Sequence, residues 1–193
     1  MERFYAYMDR MKFIKRWQLM RSVREENIME HSQSVAMLTH ALVVIENDVF
    51  GGSVNAEKAV LYALYHEVSE VMTGDMPTPV KYFNNQIHGE YEKLERRAVE
   101  KIAGTLPAEM RGGIEPYLQA DKDSAEYAFV KAADKLSAYI KCLEELRSGN
   151  KEFSQAEKTI GAALKEKKMR AVDYFFEHFI PAFSLTLDEL EGL

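Results

Sequence analysis

An all-helical bundle is the fold class this sequence predicts, on three observations. Apolar residues recur at three- and four-residue spacing, strand-like alternation is absent, and cap or breaker residues recur at helix-length intervals. Phe4, Met8, Met11, Ile14 and Trp17 predict a first helix that includes Arg16-Trp17, and Val35, Leu38, Leu42 and Ile45 predict a second that opens near His31. A third follows Gly51-Gly52, with Asn55 as its cap, and runs to about Met72, where Thr73-Gly74, Pro77 and Pro79 end it. The fourth runs from about Lys81 or Asn84 to Leu106, before Pro107. Gly112-Gly113 and Pro116 break the next stretch into short helix and turn. Asp123 with Glu126 reads as a capping box for a long helix whose stripe is Phe129, Ala133, Leu136, Ile140 and Leu143, ending near Gly149. Ser154 with Glu157 and Thr186 with Glu189 cap two later segments, with Met169 to Phe179 between them. No repeat, low-complexity tract or linker divides residues 1–193, so a single domain is expected.

Composition narrows the function. The chain has 193 residues, 47% of them hydrophobic, enough for one sizeable core. Its net charge is −6 and its Lys and Arg residues alternate with acids, which argues against a nucleic acid polymer as partner. The single cysteine, Cys142, cannot form an internal disulfide, and its neighbours Ile140 and Leu143 predict a buried thiol in a reducing compartment. Early charges at Glu2, Arg3 and Asp9, and no apolar run of membrane-spanning length, predict a cytoplasmic protein without membrane attachment.

The chemistry concentrates in His66-Glu67-Val68-Ser69-Glu70, followed by Thr73-Gly74-Asp75-Met76-Pro77-Thr78-Pro79. At about 100° per residue, a regular helix stacks His66 and Glu70 on one face and sets Glu67 a quarter-turn away. Leu61, Leu64, Tyr65, Val68, Val71 and Met72 would half-bury that helix, where charged groups are tolerated only if paired or metal-bound. Elsewhere, His31 follows Glu30, and Asp134 lies beside the long helix's apolar stripe with Val130 and Ala138 one turn to either side. Each has a bland reading. His31 alone is a hydrogen-bonded core histidine, Asp134 a partner for Lys131 or Lys135, Glu70 a surface acid before a loop, and Trp17 a core aromatic. Together, His31, His66, Glu67 and Asp134 put two nitrogen and two oxygen ligands on three helices, a set for one divalent metal with positions left open.

That order resembles the HD-domain metal-dependent phosphohydrolases. The match narrows with Arg16-Trp17, Glu30-His31-Ser32, Ser69-Glu70-Val71, the run Thr73-Gly74-Asp75-Met76-Pro77-Thr78-Pro79-Val80-Lys81-Tyr82-Phe83-Asn84, and Lys141-Cys142-Leu143-Glu144-Glu145-Leu146. These resemble the bacterial 5′-deoxynucleotidase branch over nearly the whole chain. The resemblance implies an HD-type helical fold, a homodimer, and hydrolysis of deoxyribonucleoside 5′-monophosphates to deoxyribonucleoside and phosphate. It implies cobalt or manganese as the metal, with zinc, copper, nickel and magnesium as alternatives. It makes Glu70 the catalytic carboxylate and Arg16 a fork for the phosphate. Trp17 excludes a 2′-hydroxyl, Asp75 accepts from the 3′-hydroxyl, and Thr78 and Lys81 flank the phosphate. One residue departs from the pattern: the family doublet is His-Asp, and here it is His66-Glu67, one methylene longer. Two other readings stand beside this one. A nucleoside triphosphate or guanosine tetraphosphate hydrolase would need a cationic cradle, for which only Arg16 and Lys81 lie near the motif. A non-catalytic helical module would use His66, Glu67 and Glu70 as a salt-bridged surface.

Overall fold

Short polar side chains set where the principal helices begin. In the computed structural model, which describes residues 1–192, Asn27 accepts from the backbone N–H groups of Met29 and Glu30 and opens α2 (Ile28–Val44), α1 being Phe4–Asp9. Asn55 caps α3 (Ala56–Tyr65) through the Lys58 N–H, and Asn84 caps α6 (Asn85–Ala103) through Ile87. Two single turns, α4 (Glu70–Thr73) and α5 (Thr78–Lys81), lie between them. α7 (Ala108–Leu118) precedes the long α8 (Ala125–Arg147), and α9 (Ser154–Glu166), α10 (Arg170–His178) and α11 (Leu187–Leu190) complete the chain. Among the described residues there is no β-strand, and no helix is long and apolar enough to cross a membrane.

The main core forms where α2, α3 and α8 meet. Val35, Leu42 and Val43 face Tyr62 and Ala63 of α3 and Val130, Ala133 and Leu136 of α8, with Leu164 and Phe175 closing the far side. Alanines at 36, 59, 63, 132 and 133 let the three helices approach closely enough to trap side chains between them. A second apolar cluster of Phe4, Val68, Ile102, Leu106 and Leu118 anchors the segment after α3 through Val68. Cys142 is buried as expected, and burial pushes its thiol up to about 12.

Local structure differs from the expected helices in several places. The first helix stops at Asp9 and gives way to a 3₁₀ turn, Arg10–Phe13, and then extended chain. Lys15 pairs with Asn27 across an isolated bridge; the Arg16 N–H donates to the Glu26 carbonyl at 2.9 Å, and the Ile28 N–H to the Ile14 carbonyl at 3.0 Å. This pairing outweighs helical propensity, so Arg16 and Trp17 stand in a loop. The third helix breaks at residues 66–69. There the N–H groups of Val68, Glu70 and Met72 bond to carbonyls three residues back, the tighter 3₁₀ winding. α7 continues through Gly112-Gly113 and carries Pro116 inside its last turn, so that one N–H is missing from the ladder just before the helix ends at Leu118. Ser124, not Asp123, caps α8; Glu126 instead accepts from the Asn55 N–H and pairs with Lys58, tying α3 to α8. α9 starts without a side-chain cap, because the Ser154 hydroxyl donates to the Lys151 carbonyl. Thr186 and Glu189 do form the reciprocal box on α11.

One buried ion pair holds the loop between Trp17 and Glu26 against α8. Glu145, 1% exposed, accepts from the backbone N–H groups of Val23 and Arg24, from the Asn150 amide and from Lys141, which also donates to the Arg24 carbonyl. Burial alone would raise the Glu145 carboxyl, but its donors, Lys141 foremost, outweigh that and hold it at about 2. Removing one member of such a pair leaves the other charge buried and unpaired. Glu145→Ala is therefore expected to lower stability by about 3–5 kcal/mol, read as the urea midpoint. Because its folded pKa is depressed, Glu145 contributes stability that is present above pH 4.5 and lost as pH falls towards 2. Glu145→Gln is expected to remove that part of the acid dependence.

Candidate metal centre

His31 lies in the first turn of α2, fully buried, where its Nε2 is 3.1 Å from Asp134 Oδ1 and its Nδ1 is 3.3 Å from the Ser137 hydroxyl. His66 opens the tight turn after α3. Its Nδ1–H donates to the Ala63 carbonyl at 2.6 Å, which leaves the Nε2 lone pair directed inward. That Nε2 is buried and makes no hydrogen bond among the described residues, although Glu67 Oε1 lies 3.3 Å away. One ligand atom from each of His31, His66, Glu67 and Asp134 lies within 4.8 Å of the others. Ligands of one ion at about 2.0–2.2 Å lie at most about 4.4 Å apart, so a closing-in of a few tenths of an ångström lets one cation bind all four. An inward lone pair with no protein partner is what a metal ligand looks like before the ion is counted.

The charges suit that use. Burial, joined by the nearby Arg16 charge, pushes His31 below its usual value and keeps it neutral. Burial would raise Asp134, but Lys131, 3.0 Å away, and His31 hold it well below the usual carboxylate range. Glu67 is likewise lowered despite burial, by His66. Burial lowers His66 but Glu67 and Asp134 raise it more, an effect that a bound cation would reverse.

The 3₁₀ winding also changes which residues face each other. At about three residues per turn Glu67 and Glu70 eclipse, whereas a regular helix would stack His66 with Glu70. Glu70 is 7% exposed, and its Oε2 is buried without a hydrogen-bond partner among the described residues, so it is not the surface acid of the bland reading. Burial, then the Glu67 and Asp75 charges, pushes its carboxyl far up, and it carries a proton at neutral pH in the metal-free chain.

Arg16, Trp17 and Asp75 gather beside this cluster. Arg16 Nη1 donates to Glu26 Oε2 at 2.6 Å; burial opposes its charge, but Glu26, Asp134 and Glu67 more than offset that. Trp17 has φ +59°, a left-handed conformation that costs a bulky residue about 1–3 kcal/mol. Its Nε1–H donates to Glu26 Oε2 at 3.0 Å, its ring lies 5.4 Å from that of Phe153, and its backbone N–H faces the Asp75 carboxylate. Gly74, at φ +73°, makes the bend that delivers Asp75. Lys81 lines a cavity of about 570 Å³ with His66, Glu67, Tyr82, Tyr117 and Lys131, but its amine is engaged by Glu95 at 2.8 Å. Thr78 is exposed at the start of α5.

Sequence reading missed Ser137, the Ala63 carbonyl and Glu26. Ser137 stands three residues after Asp134 and Ala63 three before His66, so helical spacing could have found both. Glu26 adjoins Glu25 in a loop, and no periodicity separates the two.

The helical architecture with its His…His-Glu…Asp set defines an HD-domain type of protein. An HD-domain phosphohydrolase from Listeria innocua superimposes with a TM-score of 0.82 at 22% identity, covering 98% of this chain and 92% of that one. An HD phosphohydrolase of cyanophage S-2L, bound to dA and one catalytic zinc ion, matches at 0.63 and 18%, covering 94% and 96%. The chain belongs to the 5′-deoxynucleotidase YfbR-like family, whose model matches residues 3–183. It is 50% identical over 188 residues to 5′-deoxynucleotidases of Vibrio cholerae, covering 97% of each, and of Escherichia coli, covering 97% of this chain and 94% of that one.

The cluster makes Glu67 directly testable. Glu67→Gln removes a ligand charge and is expected to weaken metal retention by about tenfold or more, whereas Glu67→Asp should retain the metal. Elemental analysis of each variant after dialysis reads the difference, and equal retention in Glu67→Gln would exclude Glu67 as a ligand.

Proposed function

We infer that this protein is a metal-dependent 5′-deoxynucleotidase that hydrolyses deoxyribonucleoside 5′-monophosphates to deoxyribonucleoside and phosphate. The observation that carries the reading is the set of His31, fully buried, with the half-buried His66, Glu67 and Asp134 around an unpartnered imidazole nitrogen, and Arg16 beside it. The activity for which its half-identical relatives are named supports it. His31, His66, Glu67 and Asp134 would hold a divalent ion, cobalt or manganese in first place; zinc is supported by the catalytic zinc of the cyanophage neighbour. When bound, such an ion supplies Lewis-acid polarisation of the phosphoryl group and acidifies water.

The chain's own residues do the rest. Arg16 forks onto two phosphate oxygens and orients the ester, with Thr78 and Lys81 towards the phosphate's outer side. Water forms the new bond to phosphorus as the bond to the 5′ oxygen breaks, and Glu70 passes the proton from the one oxygen to the other. Asp75 accepts from the 3′-hydroxyl, while the Trp17 indole occupies the space a 2′-hydroxyl would need.

Monophosphates fit better than longer phosphate chains. Of the Lys and Arg residues around the cavity, Lys81, Lys122 and Lys131 are paired with Glu95, Glu92 and Asp134, which leaves Arg96 as the one without an ion pair among the described residues, too few for a polyphosphate cradle. The buried, reduced Cys142 supports a cytoplasmic location, and the exposed Met37 and Phe183 offer apolar surface for a second copy in a homodimer.

Chelator treatment is expected to abolish phosphate release from a deoxynucleoside 5′-monophosphate, and added cobalt or manganese to restore it; full activity in excess chelator after dialysis would refute the proposal. Glu70→Ala should leave metal content unchanged while turnover falls by about 10²–10⁴. Trp17→Ala should narrow the ratio of kcat/KM for a deoxynucleotide over its ribonucleotide; an unchanged ratio would remove Trp17 from sugar selection.

A further inference from the structure

Arg16 and Trp17, which contact different parts of the substrate in the reading above, are both held by one oxygen of a third residue. Glu26 Oε2 accepts from Arg16 Nη1 at 2.6 Å and from Trp17 Nε1 at 3.0 Å, and the Glu26 backbone carbonyl accepts from the Arg16 N–H at 2.9 Å. The Arg16 and Glu26 side chains are 14% and 15% exposed, so water competes weakly for these bonds. No helix braces either donor. Trp17 sits in a backbone region that a bulky side chain occupies only when its surroundings hold it there, and Arg16 precedes it in the same loop. Glu26 itself is well placed to hold them, since it ends the loop that Glu145 and Lys141 fasten to α8 through Val23 and Arg24.

Two donors on one acceptor have a mechanical consequence. The angle between guanidinium and indole is set at their shared oxygen, so neither can swing without disturbing the other. A ribonucleotide whose 2′-hydroxyl meets the indole could be accommodated by tilting the ring. In this arrangement the tilt strains the bond that aims Arg16 at the phosphate, so the wrong sugar is penalised at the phosphate as well as at the ring. A rigid indole on an independent support would discriminate by shape alone.

We propose that Glu26 is a positioning residue for sugar selection, coupling the phosphate grip of Arg16 to the exclusion of the 2′-hydroxyl by Trp17. The proposal rests on the deoxynucleotidase reading and adds to it a residue that touches no substrate atom. It predicts that losing Glu26 changes affinity and selectivity together, whereas a Glu26 that merely balanced the Arg16 charge would change stability and overall activity at a constant ratio.

The test is Glu26→Gln in the full-length, metal-loaded enzyme. Glutamine keeps the size and one acceptor oxygen but loses the charge that holds Arg16. Steady-state kinetics on a deoxynucleoside 5′-monophosphate and its ribonucleotide should show KM for the deoxynucleotide raised about tenfold or more, the scale of a lost charge-assisted hydrogen bond, and a narrowed kcat/KM ratio, with metal content unchanged. In a Trp17→Ala background the same substitution should still raise KM but leave the ratio where Trp17→Ala put it. Should Glu26→Gln fail to fold, Glu26→Asp keeps the charge but is one methylene too short to hold both donors, and the ratio should narrow again. An unchanged ratio in the folded variant, from a parent that prefers deoxyribonucleotides, overturns the proposal alone. So does further narrowing in the Trp17→Ala background. A parent without that preference overturns the functional reading and this proposal with it.

Discussion

Shielding four candidate metal ligands from water is the constraint on which the rest of this structure depends. Two imidazoles and two carboxylates stand between α2, the turn after α3 and α8, beside an apolar core rich in alanine, valine and leucine. Burying such groups is costly unless each finds a partner. Here the partners come from elsewhere in the fold: His31 meets Asp134 and Ser137 of α8, and Asp134 is charge-balanced by Lys131 as well. The helices therefore cannot pack without assembling the cluster. Buried polar atoms left over after that packing include His66 Nε2 and Glu70 Oε2, on the segment where a cation and a phosphate ester would enter.

Several backbone irregularities lie in the same region. The turn at residues 66–69 is wound tighter than an α-helix, Gly74 bends with positive φ ahead of Asp75, and Trp17 is held in the left-handed region. Such conformations persist only where the surroundings over-determine them. Val68 in its apolar cluster anchors the turn, and Glu26, Phe153 and Asp75 surround Trp17. The tight winding also bears on Glu67. Its longer side chain departs from a backbone that is itself displaced from helical geometry, and its carboxylate still falls within the cluster.

α8 links these parts. It carries Asp134 at the cluster and Glu145 about three turns further on, where Glu145 fastens the loop that ends in Glu26. A single helix thus sets the spacing between the candidate metal site and the residues proposed for substrate selection. Lys131, Asp134 and Ser137 face the cluster, while Lys141 and Glu145 face the loop.

What the sequence determined by itself was local in origin. Helical periodicity gave the class, Asn55 and the Thr186–Glu189 box marked true helix starts, and residue chemistry alone grouped His31, His66, Glu67 and Asp134. Tertiary structure decided the rest. The N-terminal apolar spacing continues through Trp17, yet hydrogen bonds to residues 26 and 28 pull that segment out of helix; the third helix's spacing continues through Glu70, yet it breaks at His66. Helix propensities differ by only a few tenths of a kcal/mol per residue, so a few hydrogen bonds and one anchored side chain outweigh them. Glu26 and Glu145 were illegible for a related reason: each holds loop groups that only the folded chain brings to it, and for Glu145 the Val23 and Arg24 N–H groups lie more than a hundred residues away along the chain.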